Sequence, residues 1–244
     1  MKRAIKKLLN NKKKKDANLP LRTIAAEGAL RINELTDEEI KERMKRIDED
    51  FMHAFMLLRE HPDTVTFFGS SVLPQSSKYC HMARELAGRV VKELHLTIVS
   101  GGGPGIMEAS NRGAVDAKGD SVGMSIELPK EQVTNRYATH SADFYYFFSR
   151  KVALTFTARA YVYFPGGFGT LDELFEIITL KQTGKIPAIP IILIGKDYWD
   201  PLNDFVHKII YTKIGAIDKE DMDLYTITDD LDEVLKIIGG TTSR

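Results

Sequence analysis

The chain has 244 residues, 43% of them hydrophobic and 28% charged, with 34 basic and 34 acidic side chains. That length is enough for one well-buried core, and no apolar run reaches the roughly 20 residues that a membrane-spanning helix needs. A single cysteine, Cys80, excludes an internal disulfide and a cysteine-rich metal cluster, and it fits a reducing compartment, with the cytoplasm as the expected location.

The charge is balanced but unevenly spread. Lys2, Arg3, Lys6, Lys7 and Lys12 to Lys15 place eight basic and no acidic residues in the first fifteen, leaving 26 basic against 34 acidic groups in the remainder. An acidic body is a poor nucleic-acid surface, so no specific nucleic-acid partner is expected. The lysine run reads as a solvated terminus, and it lacks the continuous apolar stretch of a secretory signal.

Residues 1–35 read as this basic tail and an irregular lead-in. Thr36-Asp37-Glu38-Glu39 is a capping box that opens a long amphipathic helix in the segment 36–62. Ile40, Met44, Ile47, Phe51, Phe55 and Leu58 recur along it at spacings of four and three. That stripe predicts packing on the core or on a second subunit. Pro62 ends the segment.

Residues 63–244 read as a single Rossmann-like domain in which strands and helices alternate. Val65 to Phe68 is a strand ending in Gly69-Ser70-Ser71, followed by a helix over Lys78 to Leu94. Leu96 to Val99 is a strand ending in Ser100-Gly101-Gly102-Gly103-Pro104-Gly105, with a helix from Ile106 to Ala117. A strand over Ser121 to Ile126 leads into an irregular stretch to about Ala142. Asp143 to Phe148 reads as a short strand and Arg150 to Arg159 as a helix. The apolar run Ala160 to Phe164 is a strand, and the helix after it ends near Gln182. Ala188 to Ile194 is a strand, Trp199 to Tyr211 a helix, Leu224 to Thr228 a strand and Asp230 to Ile238 a closing helix. This alternation predicts an α/β fold, a doubly wound parallel sheet with helices on both faces. In such sheets ligands bind beyond the carboxyl ends of the strands, where all three Gly or Ser turns fall.

The turn Phe164-Pro165-Gly166-Gly167-Phe168-Gly169-Thr170-Leu171-Asp172-Glu173 carries the most information. Three glycines in four positions bare backbone N–H groups where a helix begins, which suits an anion. Glu173, one helical turn further in, would face whatever carries that anion. The combination points to chemistry on a phosphorylated small molecule. A structural reading competes with it, because Thr170-x-x-Glu173 is also a capping box that would occupy both side chains.

Several nucleotide and hydrolase motifs are absent. Gly101 to Gly105 lacks the third glycine of the dinucleotide fingerprint and follows the second strand of the array. Gly184-Lys185 is followed by Ile186, which breaks a P-loop pattern, and no G-x-S-x-G elbow occurs. The six histidines show no metal-ligand spacing, so neither a metal nor any other cofactor is expected. By elimination, an anion would be held by backbone amides from two different turns. Ser149-Arg150-Lys151 adds a cue. With Ser149 as N-cap, two cations fall in a first helical turn, where the dipole disfavours them by roughly 0.3–1 kcal/mol each. Either they serve an anionic ligand or both side chains point into water.

Together these residues resemble the Lonely Guy family of cytokinin-activating nucleotide phosphoribohydrolases, often labelled lysine decarboxylases. The family hallmark P-G-G-x-G-T-x-x-E matches Pro165 to Glu173 at every defined position. Its upstream Arg-Lys pair matches Arg150 and Lys151, and its Gly-rich turn after the second strand matches Gly101 to Gly105. The similarity runs over roughly Val65 to Trp199. The N-terminal extension and the helix from Thr36 go beyond the compact plant-type members.

The resemblance implies hydrolysis of the N-glycosidic bond of a nucleoside 5′-monophosphate, AMP-like or cytokinin-type, to free base and ribose 5-phosphate. Glu173 and Arg150 would then be catalytic. Gly166, Gly167, Gly169 and Thr170, with Gly102 and Gly103 opposite and Gly69 and Ser70 from the first turn, would hold substrate through its 5′-phosphate. Lys151, Thr179 and Glu131 would also line the site. Together with the apolar stripe of the segment 36–62, the resemblance makes a homodimer the expected assembly. Two other readings stand beside this one. Molybdenum-cofactor carrier proteins are similar in fold and glycine turns, and a pyridoxal-phosphate decarboxylase would need a Schiff-base lysine that nothing here marks out.

Overall fold

The computed structural model describes residues 35–127 and 134–241. The chain divides into a unit ending at Arg46 and a compact body from Ile47 onward. The expected basic tail, and Glu131, lie outside the described residues.

A helix, α1 (Asp37–Arg59), comes first. Its capping box is formed as expected: the Thr36 amide donates to Glu39 at 2.8 Å and the Glu39 amide to the Thr36 hydroxyl at 3.2 Å. The buried line on α1 differs from the expected stripe. Asp50, Ala54 and Leu58 face the core, while Ile40, Met44 and Phe55 are exposed. An aspartate in that line has a specific partner, described below.

The body alternates strand and helix: β1 (Thr64–Phe68), α2 (Lys78–Leu94), β2 (Thr97–Ser100), α3 (Ile106–Asp116), β3 (Ser121–Ile126), β4 (His140–Phe144), α4 (Phe147–Thr155), β5 (Ala158–Tyr163) and α5 (Phe168–Gln182). It continues through β6 (Ile191–Leu193), α6 (Lys196–Phe205), a π-helical turn (Val206–Ile214), a 3₁₀ turn (Lys219–Asp223), β7 (Thr226–Ile227) and α7 (Leu231–Gly239). The seven strands form one all-parallel sheet in the order β4-β3-β2-β1-β5-β6-β7.

Side chains alternate across this sheet with period two, which divides the core into two layers. Val65 and Phe67 join Leu86, Val90, Ile106, Val162 and Ile238 on one face. Phe68 joins Leu58, Met124, Leu154, Tyr163, Leu174 and Trp199 on the other. Each large buried apolar side chain contributes about 1.5–3 kcal/mol relative to exposure.

Two expectations near the site are corrected. The strand expected over Asp143 to Phe148 ends at Phe144, and the helix expected from Arg150 begins at Phe147. Arg159, expected to end that helix, is instead the second residue of β5. Secondly, Ser149 is not an N-cap: Tyr146 holds that position, which puts Arg150 and Lys151 beyond the first turn.

Candidate active site

The strand order reverses between β1 and β5, the point at which a doubly wound sheet leaves a crevice at its carboxyl edge. The two strand ends are locked together. The Phe164 amide donates to the Phe68 carbonyl and the Ser70 amide to the Pro165 carbonyl, both at 2.9 Å. The Tyr198 hydroxyl donates to the Gly166 carbonyl at 2.7 Å, which fixes the glycine turn from the α6 side.

α5 begins immediately after that turn, with Gly167 as N-cap and no side-chain cap. The expected Thr170-x-x-Glu173 capping box is therefore not formed. The helix starts three residues earlier than such a box requires, so Thr170 is buried inside its first turn and the Glu173 carboxyl is free of capping. The leading amides of α5 have no intrahelical acceptor, and the dipole adds positive potential there. A Cβ built on Gly167 or Gly169 would meet nothing within 4 Å, whereas one on Gly166 would lie 2.2 Å from the Thr170 hydroxyl. Gly166 is thus required by the turn itself. The space in front of Gly167 and Gly169 is open, as a bound anion would need.

Arg150 and Glu173 meet behind this turn, with guanidinium Nη1 3.8 Å from carboxylate Oε1. Arg150 is buried, and its Nε donates to the Met124 carbonyl at 2.7 Å and its Nη2 to the Gly101 carbonyl at 3.3 Å. Two backbone anchors therefore aim the third nitrogen at Glu173. Burial pulls the Arg150 guanidinium below its ordinary value, with Glu173 opposing. Burial also pushes the Glu173 carboxyl up, from 4.5 to about 7, and Arg150 pulls against that rise. Both charged forms are starved of water and held too far apart for a close ion pair. An acid that titrates near neutrality can take or give a proton at working pH.

The second glycine turn is shaped by a buried polar network that the sequence reading did not find. Ser100 Oγ donates to Asn111 Oδ1 at 2.7 Å and accepts the Gly102 amide at 3.1 Å. Asn111 Nδ2 donates to Ser121 Oγ at 2.7 Å, and Asn135 Nδ2 lies within hydrogen-bond distance of the Gly102 and Gly103 carbonyls. The signal available in the sequence was slight: a lone asparagine on a buried face of α3 otherwise made of small or apolar residues and Ser110. Gly102 has φ +72°, and Gly105, at φ +69°, would place a Cβ 2.2 Å from the Ser70 carbonyl. Since the Gly102 amide is committed to Ser100, Gly102 supplies the bend rather than a free donor.

The remaining expected residues are placed as follows. Gly69 packs against Ile106, where a Cβ would fall 2.8 Å from its side chain. The Ser70 hydroxyl accepts the Val72 amide at 3.1 Å. Lys151 lies beside the pair but reaches Asp172 at 3.2 Å and Glu176 at 3.0 Å, tying α4 to α5. Thr179 is exposed, and its hydroxyl donates to the Phe175 carbonyl at 2.7 Å. Among the described residues no His, Cys, Asp and Glu cluster could hold a metal ion, and no helix is long and apolar enough to cross a membrane. A cavity of about 700 Å³ at the amino end of β5, lined by Arg159, Pro187 and Glu233, contains none of the site residues.

An α/β sheet with an open glycine turn and a buried acid at its switch point defines a doubly wound fold of the kind that binds small molecules at this crevice. The family model described as "Possible lysine decarboxylase" matches residues 107–238, and the chain belongs to this family, the Lonely Guy family. A cytokinin riboside 5′-monophosphate phosphoribohydrolase from Rhodococcoides fascians is 27% identical over 156 residues, covering 61% of this chain and 76% of that protein. One from Mycobacterium marinum is 30% identical over 164 residues, covering 62% and 83%. Among solved structures, a molybdenum cofactor carrier protein from Chlamydomonas reinhardtii aligns with a TM-score of 0.51 at 19% identity, covering 73% of this chain and 96% of that one, a likeness of fold alone.

Proposed function

We propose that this chain hydrolyses the N-glycosidic bond of a nucleoside 5′-monophosphate, releasing the free base and ribose 5-phosphate. The observation that carries this reading is the buried acid near neutrality, 3.8 Å from a buried arginine and one turn behind an uncapped helix start. The 5′-phosphate occupies the open space before Gly167 and Gly169 and takes the leading amides of α5. Binding at that remote group positions C1′. As the bond to the base breaks, the sugar becomes oxocarbenium-like. Ionised Glu173 stabilises that charge and accepts the proton of the attacking water, whose oxygen bonds to C1′. The bond's electrons leave with the base, which takes up a proton, and Arg150 supports that negative charge as it develops. The two named relatives support this choice of reaction class.

Neither competing reading accounts for the pair as well. A carrier needs no neutral-range acid beside an arginine. A Schiff-base decarboxylase needs a lysine that deprotonates readily. Burial alone would lower Lys151, but its bonds to Glu176 and Asp172 outweigh this and leave it raised, and Lys181, which burial does pull down, lies in the last turn of α5 and donates to the Leu224 carbonyl at 2.8 Å.

The test is a panel of nucleoside monophosphates with their matching nucleosides, scored for released base. Charge-assisted bonds to backbone amides contribute roughly 1.5–3 kcal/mol each, so nucleosides should lose several orders of magnitude in kcat/KM. Equal rates on nucleoside and nucleotide would remove the phosphate assignment. The assembly belongs to the same proposal. Met52, Phe55 and Met56 of α1, Phe148 and Val152 of α4 and Phe156 just after it form an exposed apolar face, with the Phe55 and Phe156 rings 4.6 Å apart. A second copy covers it, in the reducing interior of the cell.

A further inference from the structure

We propose that Asp50 of α1 is a positioning residue for the Arg150–Glu173 pair, holding the first turn of α4 so that Arg150 stands at its working distance from Glu173. α1 lies outside the residues 107–238 that the family model matches.

Asp50 is buried, and its carboxylate accepts the Tyr145 and Tyr146 amides at 3.1 Å each. The Ser149 hydroxyl also donates to it, at 2.5 Å. α4 has no side-chain cap of its own, since its N-cap is Tyr146. A carboxylate about one hundred residues earlier in the chain therefore fastens the two residues that lead into α4 and the Ser149 hydroxyl of its first turn. It also supplies the negative charge that a helix start favours, next to a turn whose following residues are the cations Arg150 and Lys151. The link to Arg150 is direct. Tyr146 gives its amide to Asp50 and its carbonyl accepts the Arg150 amide at 3.3 Å. Ser149, the third donor to Asp50, is the neighbour of Arg150 in sequence. Without Asp50, the Tyr145 and Tyr146 amides lose this acceptor, the Ser149 hydroxyl keeps only the Tyr146 carbonyl at 2.9 Å, and the turn that roots Arg150 loosens.

The inference rests on the hydrolase reading for its catalytic meaning, but its geometric content can be measured without turnover. Glu173 is faced by Arg150 and Lys151 of α4, by Asp172 and Glu176 of its own helix, and by Tyr163 of β5, whose hydroxyl donates to the Glu173 carbonyl. Of these, Arg150 lowers the Glu173 carboxyl most. If Arg150 retreats, the titration midpoint of Glu173 rises. Removing the Asp50 charge by itself acts through space in the opposite direction.

The experiment uses the full chain as wild type, Asp50→Asn and the milder Ser149→Ala, which removes one donor and keeps the carboxylate. Carboxyl-carbon NMR with labelled glutamate, the peak assigned by its loss in Glu173→Gln, gives the midpoint. Base release from a nucleoside monophosphate gives kcat and KM. The expected result is a midpoint raised by half a pH unit or more in Asp50→Asn, with kcat down at least tenfold and KM within threefold of wild type. Ser149→Ala should shift both in the same direction by less, and it carries the test if Asp50→Asn does not fold. A lower melting temperature with the midpoint and kcat unmoved would make Asp50 a structural fastening only and overturn the proposal. If wild type releases no base but the midpoint still rises, the hydrolase reading fails while the positioning role stands.

Discussion

Replacing Glu173 with glutamine should stop turnover and make the protein more stable, a pairing that a capping glutamate could not produce. Burial holds the carboxyl at about 7 in the folded chain against an ordinary 4.5. A folded value above the unfolded one means that the unfolded state gives up its proton first as pH rises, so stability falls between about pH 4.5 and 7 and the full penalty persists above. A difference of about 2.5 units corresponds to about 3 kcal/mol. Glutamine mimics the neutral acid and escapes that penalty, while Arg150 faces the same uncharged neighbour that it has in protonated wild type. For a chain of this size about 2–4 °C accompanies each kcal/mol, so the variant should melt roughly 6–12 °C higher at pH 8, the advantage vanishing near pH 4. Thermal unfolding followed by circular dichroism across that range reads the effect, alongside base release expected to fall about 10²–10⁴-fold. A variant that melts lower at pH 8, or whose advantage does not change with pH, would refute the account of Glu173 as a desolvated, uncapping acid.

Other outcomes follow from the same geometry. Gly167→Ala should leave the unfolding free energy within about 0.5 kcal/mol of wild type, because its Cβ meets nothing; yet it should raise KM for a nucleoside monophosphate at least tenfold by filling the anion space, and an unchanged KM would place the phosphate elsewhere. Asn111→Ala strips partners from Ser100, Ser121 and Asn135 and should cost about 2–3 kcal/mol in denaturant unfolding; a loss under 0.5 kcal/mol would show that the network is not needed to hold the second glycine turn. Sedimentation should give a dimer at micromolar concentration, and Phe156→Asp, in the exposed apolar face, should shift it to monomer. A clean wild-type monomer would remove the second copy from the proposal.

The local parts of the fold were legible because their causes are local. α2 and β3 run over the residues expected, and α5 ends where expected, since apolar periodicity and flanking glycines act within a few residues. The start of α4 was misread for the opposite reason. Ser149 looks like a cap, but its hydroxyl is claimed by Asp50, 99 residues away in sequence, and no local pattern announces that. The apparent box at Thr170 and Glu173 failed similarly. Its spacing is right, but the glycines before it let the helix begin at Phe168, with Gly167 as N-cap, instead.

The sequence by itself determined the α/β alternation and the glycine turns at strand ends, because each follows from residue type and short spacing, while Arg150 and Glu173 were singled out as catalytic candidates by the resemblance of their motifs to a known family. The tertiary structure decided the strand order, which brings the ends of β1 and β5 together at the switch point. It also decided that Arg150 is aimed by carbonyls from β3 and the second turn, and that Glu173 sits where burial raises it to about 7. A pKa depends on how much water and which charges surround a group, and those surroundings come from segments distant in sequence that only folding places side by side.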